Sequence, residues 1–288
     1  MKRSLLLYLL GIFFLGILTV MGTNSLREYA ALSLLHDAVN ESEGFRNQWL
    51  SEEVSQELDT FCGEQGVSRG DLLTVLMLDH RFDLTGVDLK DYGKEQYSDS
   101  LNRQWGRKPE ALQALRESYE AIWDDLVYFP VPESTVNEEA TVAFDNSWMF
   151  ERTFGGKRGH EGTDVMAGIN QRGYYPVVSM TDGVIENIGW LTKGGYRIGI
   201  RGPHGAYYYY AHLAEFARDF PKGTQVRAGE LIGYMGDTGY SEIEGTTGNF
   251  DVHLHVGIYI RTKDSPEMSV NPYWILKYLE SHKLSYAF

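Results

Sequence analysis

The stretch Val252-His253-Leu254-His255-Val256-Gly257-Ile258-Tyr259-Ile260 alternates strictly between apolar residues and others. Successive side chains of a strand point to opposite faces, so a period of two marks a half-buried strand. Val252, Leu254, Val256, Ile258 and Ile260 then share the buried face, and His253, His255, Gly257 and Tyr259 share the other. Working outward, Tyr196, Ile198 and Ile200 alternate in the same way with Arg197, Gly199 and Arg201. Asp182-Gly183 and Asp237-Thr238-Gly239 supply turn signals between such runs. Short strands separated by glycine turns predict an antiparallel β-domain.

The first half of the chain has a different character. Acids outnumber bases 22 to 12 over residues 1–134, against 18 to 14 over residues 135–288. The chain begins Met1-Lys2-Arg3 and then runs uncharged from Ser4 to Leu26. That apolar run suits a membrane helix or a secretory signal, with Val20-Met21-Gly22 as a cleavage-like site. Residues 1–24 are therefore expected to be a signal-anchor or signal peptide. By the positive-inside rule the rest of the chain faces outward: extracytoplasmic, held to the membrane by this segment, or secreted if it is cleaved.

Residues 25–134 are expected to form a helical domain. Ser25-x-x-Glu28 and Ser68-x-x-Asp71 read as capping boxes, and Pro109 suits a first helical turn. Leu112, Leu115, Tyr119, Ile122, Trp123 and Leu126 form one apolar stripe, read as core. His36 and His80 lack metal-ligand spacing to each other. Pro130 and Pro132 cannot continue a helix, which places the boundary near residue 134 and leaves 135–288 for the β-domain. The expected fold class is α+β: an N-terminal membrane segment, a helical domain, then an antiparallel sheet. The acidity of the helical part motivates a role in binding a protein partner or restraining the second domain.

Composition narrows the chemistry. A net charge of −14 argues against nucleic acid as a partner. The single cysteine, Cys62, excludes a thiolate-rich zinc or iron–sulfur site, so any metal must be held by imidazole and carboxylate. Three histidine motifs stand out. In His160-Glu161-Gly162-Thr163-Asp164 a histidine and an aspartate four apart can both bind one metal, although a surface ion pair with Arg158 or Lys157 is an equally simple use. In His253-Leu254-His255 both rings project from one strand face. In Tyr210-Ala211-His212 the histidine is expected on the same face as Tyr208 and Tyr210. His204 is expected to be solvated in a Pro203-His204-Gly205 turn, and His282 to lie in a final helix begun near Asn271-Pro272.

Taken together, RGHEGTDVMA, DGVIENIG, GGYRIGIRGPHG, YYYYAHL, KGTQVRAGELIGYMGDTG and VHLHVGIYI resemble, in order, the M23 peptidases of the LytM and lysostaphin type over roughly residues 150–275. The resemblance implies one zinc per chain, held by His160, Asp164 and His255, with His212 and His253 as catalytic histidines. It also implies a small antiparallel fold with a groove across one sheet. A catalytic zinc keeps three protein ligands and one open position for water, which it acidifies. With no HExxH, the glutamate-base route of other zinc proteases is not offered. The expected activity is hydrolysis of peptide bonds in bacterial cell-wall peptidoglycan, by zinc-activated water assisted by two histidines. The alternative is a non-catalytic regulator or scaffold of the same fold. The segment YSEIEGTTGNFDVHLH is longer than the family pattern before the HxH strand and is expected to border the groove.

Overall fold

The computed structural model describes residues 2–105, 109–154 and 156–288, with the side chains of residues 2–6, 24, 27, 28, 30–32, 91, 94 and 103–105 also outside the description. The helices of the first half are α1 (Lys2–Leu34), α2 (Glu43–Asn47), α3 (Glu52–Gln65), α4 (Arg69–Asp79), α5 (Leu89–Tyr92), α6 (Lys94–Trp105) and α7 (Pro109–Trp123). Ser68 caps α4 as expected, its hydroxyl accepting from the Asp71 amide at 3.1 Å. Ser25 does not begin a helix. It lies inside α1, because nothing in the apolar run before it breaks the helix; the side chains of Glu28, Lys2 and Arg3 lie outside the described residues. Leu7, Phe13, Phe14 and Leu18 of α1 are exposed. Among the described residues, no helix is long and apolar enough to cross a membrane, so the expected membrane span is not supported.

The second half is strand-rich. Short strands β1 (Glu133–Ser134), β2 (Val142–Ala143), β3 (Glu151–Arg152) and β4 (Arg158–Gly159) precede β5 (Thr163–Ala167), β6 (Pro176–Val178), β7 (Gly183–Leu191) and β8 (Gly195–Arg201). Then come β9 (Tyr207–Phe216), β10 (Gln225–Val226), β11 (Leu231–Met235), β12 (His253–Ile260), β13 (Met268–Val270), helix α8 (Tyr273–Leu279) and β14 (Ser285–Tyr286). The main sheet runs β10-β7-β8-β9-β12-β5-β2, and its pairs are antiparallel. On β12 the period of two holds: Val252, Leu254, Val256, Ile258 and Ile260 are all buried.

The two halves pack against each other. The stripe on α7 is buried as expected, from Leu112 through Leu126. The Tyr208 hydroxyl on β9 reaches the carbonyls of Ala121 and Ile122 at the end of α7, at 3.1 and 3.0 Å. Arg46 of α2 donates to the Ser269 carbonyl on β13 at 3.1 Å, and Tyr278 of α8 to Asp59 of α3 at 2.7 Å. His204 is not merely solvated: its Nδ1 meets buried Asp125 at 2.7 Å, because a carboxylate shut in behind α7 needs a partner. That hydrogen bond raises the His204 pKa. His282 lies beyond α8, which stops at Leu279, and packs its ring at a tilt beside Tyr278.

Candidate metal centre

Strand order brings the three histidine motifs together. On the sheet, His255 of β12 pairs with Asp164 of β5 on one side and with Ala211 of β9 on the other. His160 enters from the turn after β4. His160 Nε2 lies 3.1 Å from Asp164 Oδ1 and 3.1 Å from His255 Nδ1, and His255 Nδ1 lies 2.9 Å from Asp164 Oδ1. These three atoms form the one group of three metal-competent donors among the described residues. A tetrahedral zinc with ligands at about 2.0–2.1 Å has ligand edges of about 3.3 Å, so the triangle fits a single zinc. Two ring nitrogens facing each other at 3.1 Å can share one proton as an N–H···N hydrogen bond, and the same spacing suits a shared cation.

The surroundings orient each donor. A metal on His160 Nε2 needs the ring proton on Nδ1, where Ser147 offers its hydroxyl at 3.0 Å and its carbonyl at 3.3 Å. Arg152 donates to the second oxygen of Asp164 at 2.8 Å and sits 3.1 Å from His160 Nδ1. Asp164 therefore uses Oδ1 toward the centre and Oδ2 toward Arg152. Gly162 makes room for His255: a Cβ there would stand 2.4–2.5 Å from the ring. Burial pushes the Asp164 carboxyl up, but hydrogen bonds from His160 and His255 outweigh this and hold it well below the usual carboxylate range. Burial also lowers His255, against the opposing pull of Asp164. An anionic carboxylate and a neutral imidazole are the protonation states that metal binding requires.

His212 and His253 flank this triangle without joining it. Their rings lie 4.7 Å apart, and His253 Nε2 is 3.8 Å from Asp164 Oδ1. Each fixes its tautomer on backbone: His212 Nδ1 to the Thr238 carbonyl and His253 Nδ1 to the Asp251 carbonyl, both at 2.7 Å. That leaves both Nε2 atoms as bases. Burial, with the nearby histidines, pushes His212 down to about 3.

His212 corrects the alternation expected of its strand. Tyr208 and Tyr210 face the core, whereas His212 lines the groove with Tyr207, Tyr209 and Ala211. Its φ of +62° turns the chain by one residue, and the pairing with β8 shifts register between Tyr196 and Ile198. Such a bulge re-aims a side chain, and the unfavourable backbone is held by the Gly194 carbonyl accepting the His212 amide at 2.8 Å. The groove is a cavity of about 560 Å³. The extended loop does border it, through Tyr240, which stacks on Phe154 at 4.5 Å and meets His212 edge-on. Sequence reasoning missed Ser147, Arg152 and Phe154, which lie outside the histidine motifs on segments with no spacing signal.

Comparison with known proteins agrees with this arrangement. Residues 158–271 match the model of peptidase family M23. The chain is 39% identical over 155 residues to an L-Ala–D-Glu endopeptidase of Bacillus subtilis, covering 54% of this chain and 44% of that protein. It is 36% identical over 84 residues to the glycyl-glycine endopeptidase ALE-1 of Staphylococcus capitis, covering 28% and 22%. The chain thus spans less than half the length of either curated relative. A crystal structure from Ruminococcus gnavus, provisionally described as a glycyl-glycine endopeptidase LytM, aligns with a TM-score of 0.77 and 44% identity. That alignment covers 90% of this chain and 99% of the other, helical half included.

Proposed function

The chain belongs to peptidase family M23 and is a metallopeptidase, and from that premise we propose that it cuts peptide bonds of bacterial peptidoglycan with one zinc held by His160, Asp164 and His255. The observation that carries this is the triangle of three donors within 3.1 Å, flanked by two histidines with free Nε2 atoms. A zinc bound there would acidify a water and polarise the scissile carbonyl. The protein's own residues do the rest. Of His212 and His253, one takes the proton of the attacking water, and the other, once protonated, donates to the developing oxyanion. The protonated base then supplies the leaving amine. Tyr240, stacked on Phe154, walls the groove and shields the reacting peptide from bulk water.

The names of the curated relatives support a cell-wall substrate and extracytoplasmic action. The apolar run at residues 4–26 supports export, and the N-terminal sequence of the mature protein separates a retained anchor from a cleaved signal. A domain boundary at about residue 134 is part of the same proposal, tested by whether residues 135–288 fold alone. The experiment for the function is digestion of purified peptidoglycan with the zinc-loaded full chain, read by mass spectrometry. Cleavage that stops on chelation and returns with zinc is expected; no new peptide termini would overturn the proposal.

A further inference from the structure

Two kinds of contact hold the His212 ring. Phe250 packs against it nearly at right angles, with ring centroids 4.7 Å apart, and limits its tilt. Packing does not distinguish a ring nitrogen from a ring carbon, so it leaves the ring free to turn over. The contact that does distinguish them is the 2.7 Å hydrogen bond between Nδ1 and the Thr238 carbonyl. Whatever holds Thr238 therefore decides where Nε2 points.

Thr238 is 1% exposed and does not line the groove. It lies just past β11 and reaches into the sheet beside the bulge that carries His212. There Ala211 and His212 of β9 stand opposite the single residue Arg197 of β8, between the pairs Tyr196–Leu213 and Ile198–Tyr210. A bulge disrupts the ladder locally, and buried backbone groups beside it need partners. The Thr238 hydroxyl accepts from the Tyr196 amide at 3.0 Å and donates to the Leu213 carbonyl at 2.7 Å. One oxygen thus ties β8 to β9 at the first pair beside the bulge, and the carbonyl of the same residue holds the ring that the bulge turns outward. Gly195 leaves the space for this: a Cβ there would stand 2.3 Å from both the Thr238 carbonyl oxygen and its hydroxyl.

From this we infer that Thr238 is a positioning residue: its hydroxyl pins the β9 bulge, and its carbonyl keeps the His212 ring proton on Nδ1, so that Nε2 is presented to the groove. This rests on the peptidase reading above, in which His212 moves or donates a proton. It makes the aim of that histidine depend on one buried side chain 26 positions further along the chain.

The test uses the full chain in detergent, zinc-loaded and labelled with ¹⁵N in its histidine rings, observed by NMR at neutral pH. The His212 signals are assigned by their absence from His212→Ala. In the unmodified chain His212 should carry its proton on Nδ1; a proton on Nε2 with none on Nδ1 overturns the inference. Thr238→Val keeps the shape and the carbonyl and removes the hydroxyl, so Tyr196 and Leu213 lose their link. There the His212 Nδ1–H signal should shift or vanish and zinc content should match the unmodified chain. On a peptide shown to be released from peptidoglycan, kcat should fall about 100-fold with KM unchanged, the scale of a group misplaced by about 1 Å. Thr238→Ser keeps the hydroxyl and should restore both signal and kcat. A purely structural role would lower the unfolding temperature of Thr238→Val and leave the signal, kcat and KM of the folded molecules as they were. That result overturns the inference, as does a loss in Thr238→Ser equal to that in Thr238→Val. Should Thr238→Val not fold, Thr238→Ala removes the same hydroxyl with more room for the strands to close, and the same signal decides. A His212 signal that responds to Thr238→Val in a chain that cuts no peptidoglycan would contradict the peptidase reading and leave the positioning role standing.

Discussion

The helical layer and the groove treat buried polar groups in opposite ways. In the helical layer several close on one another, although the Tyr119 hydroxyl and Glu57 Oε2 have no hydrogen-bond partner among the described residues. The Trp123 indole donates to Gln48 at 2.8 Å, Gln48 donates to the Phe45 carbonyl, and Asn40 donates to Ser118 at 3.0 Å. In the groove three donors crowd one point, two histidines turn Nε2 away from the backbone, and Arg197 Nη1 and Arg158 Nε have no hydrogen-bond partner among the described residues. The bonded pairs of the first arrangement need no guest and supply stability. The second, on the proposed function, is completed by a cation and a substrate. Mutations should therefore separate cleanly, those in the groove changing chemistry and those in the layer changing stability.

The largest effect is expected from Asp164→Ala, which removes the anionic ligand and leaves two buried imidazoles without it. Wall hydrolysis should fall below detection and zinc content per folded chain to near zero, measured by elemental analysis with circular dichroism as the check on fold. Next, His212→Ala should lower the turnover rate by about 10²–10⁴ while zinc content is kept, because the proposed role of His212 is to move protons and not to hold the metal. A loss of zinc in that variant would place His212 in the ligand set instead.

On the other side of the comparison, Ile122→Ala opens a cavity under the sheet and should cost about 2–5 kcal/mol of stability by denaturant unfolding. Zinc affinity of the folded molecules should not change; a parallel loss would mean that the layer shapes the groove. Arg152→Gln should weaken zinc binding by about 10–100-fold, the scale of a lost partner to a ligand. The smallest effect is at the seam. His204 has a raised pKa when folded, so its contribution is fully present below the ordinary histidine pKa and is lost as pH rises through the folded value. Its side chain is 51% exposed, so His204→Ala should cost under about 1 kcal/mol at pH 6 and less at pH 9. An equal cost at both pH values would show that packing, not charge, holds the seam.

What was legible in the sequence follows the same division. The β12 face, the α7 stripe and the Ser68 cap are periodic or local signals, and the structure carries each of them. The M23 family and its metallopeptidase character were also legible, because the histidine motifs keep their order along the chain. The facing of His212 was not, since a bulge with positive φ leaves no mark in an alternating pattern. Ser25 misled because a capping box has no meaning inside a helix already under way. Arg152 and Ser147 act on His160 and Asp164 through contacts made only when β3 and the loop before it fold back, and the partner of His204 comes from a residue 79 positions away.

The central claim is that His160, Asp164 and His255 together hold one zinc. Zinc per chain, measured on the purified full chain after loading and gel filtration, tests it most directly. The account predicts one zinc in the unmodified chain and close to none in His160→Ala, Asp164→Ala and His255→Ala, each still folded. An unmodified chain that retains no zinc, or three variants that each retain one, would contradict it.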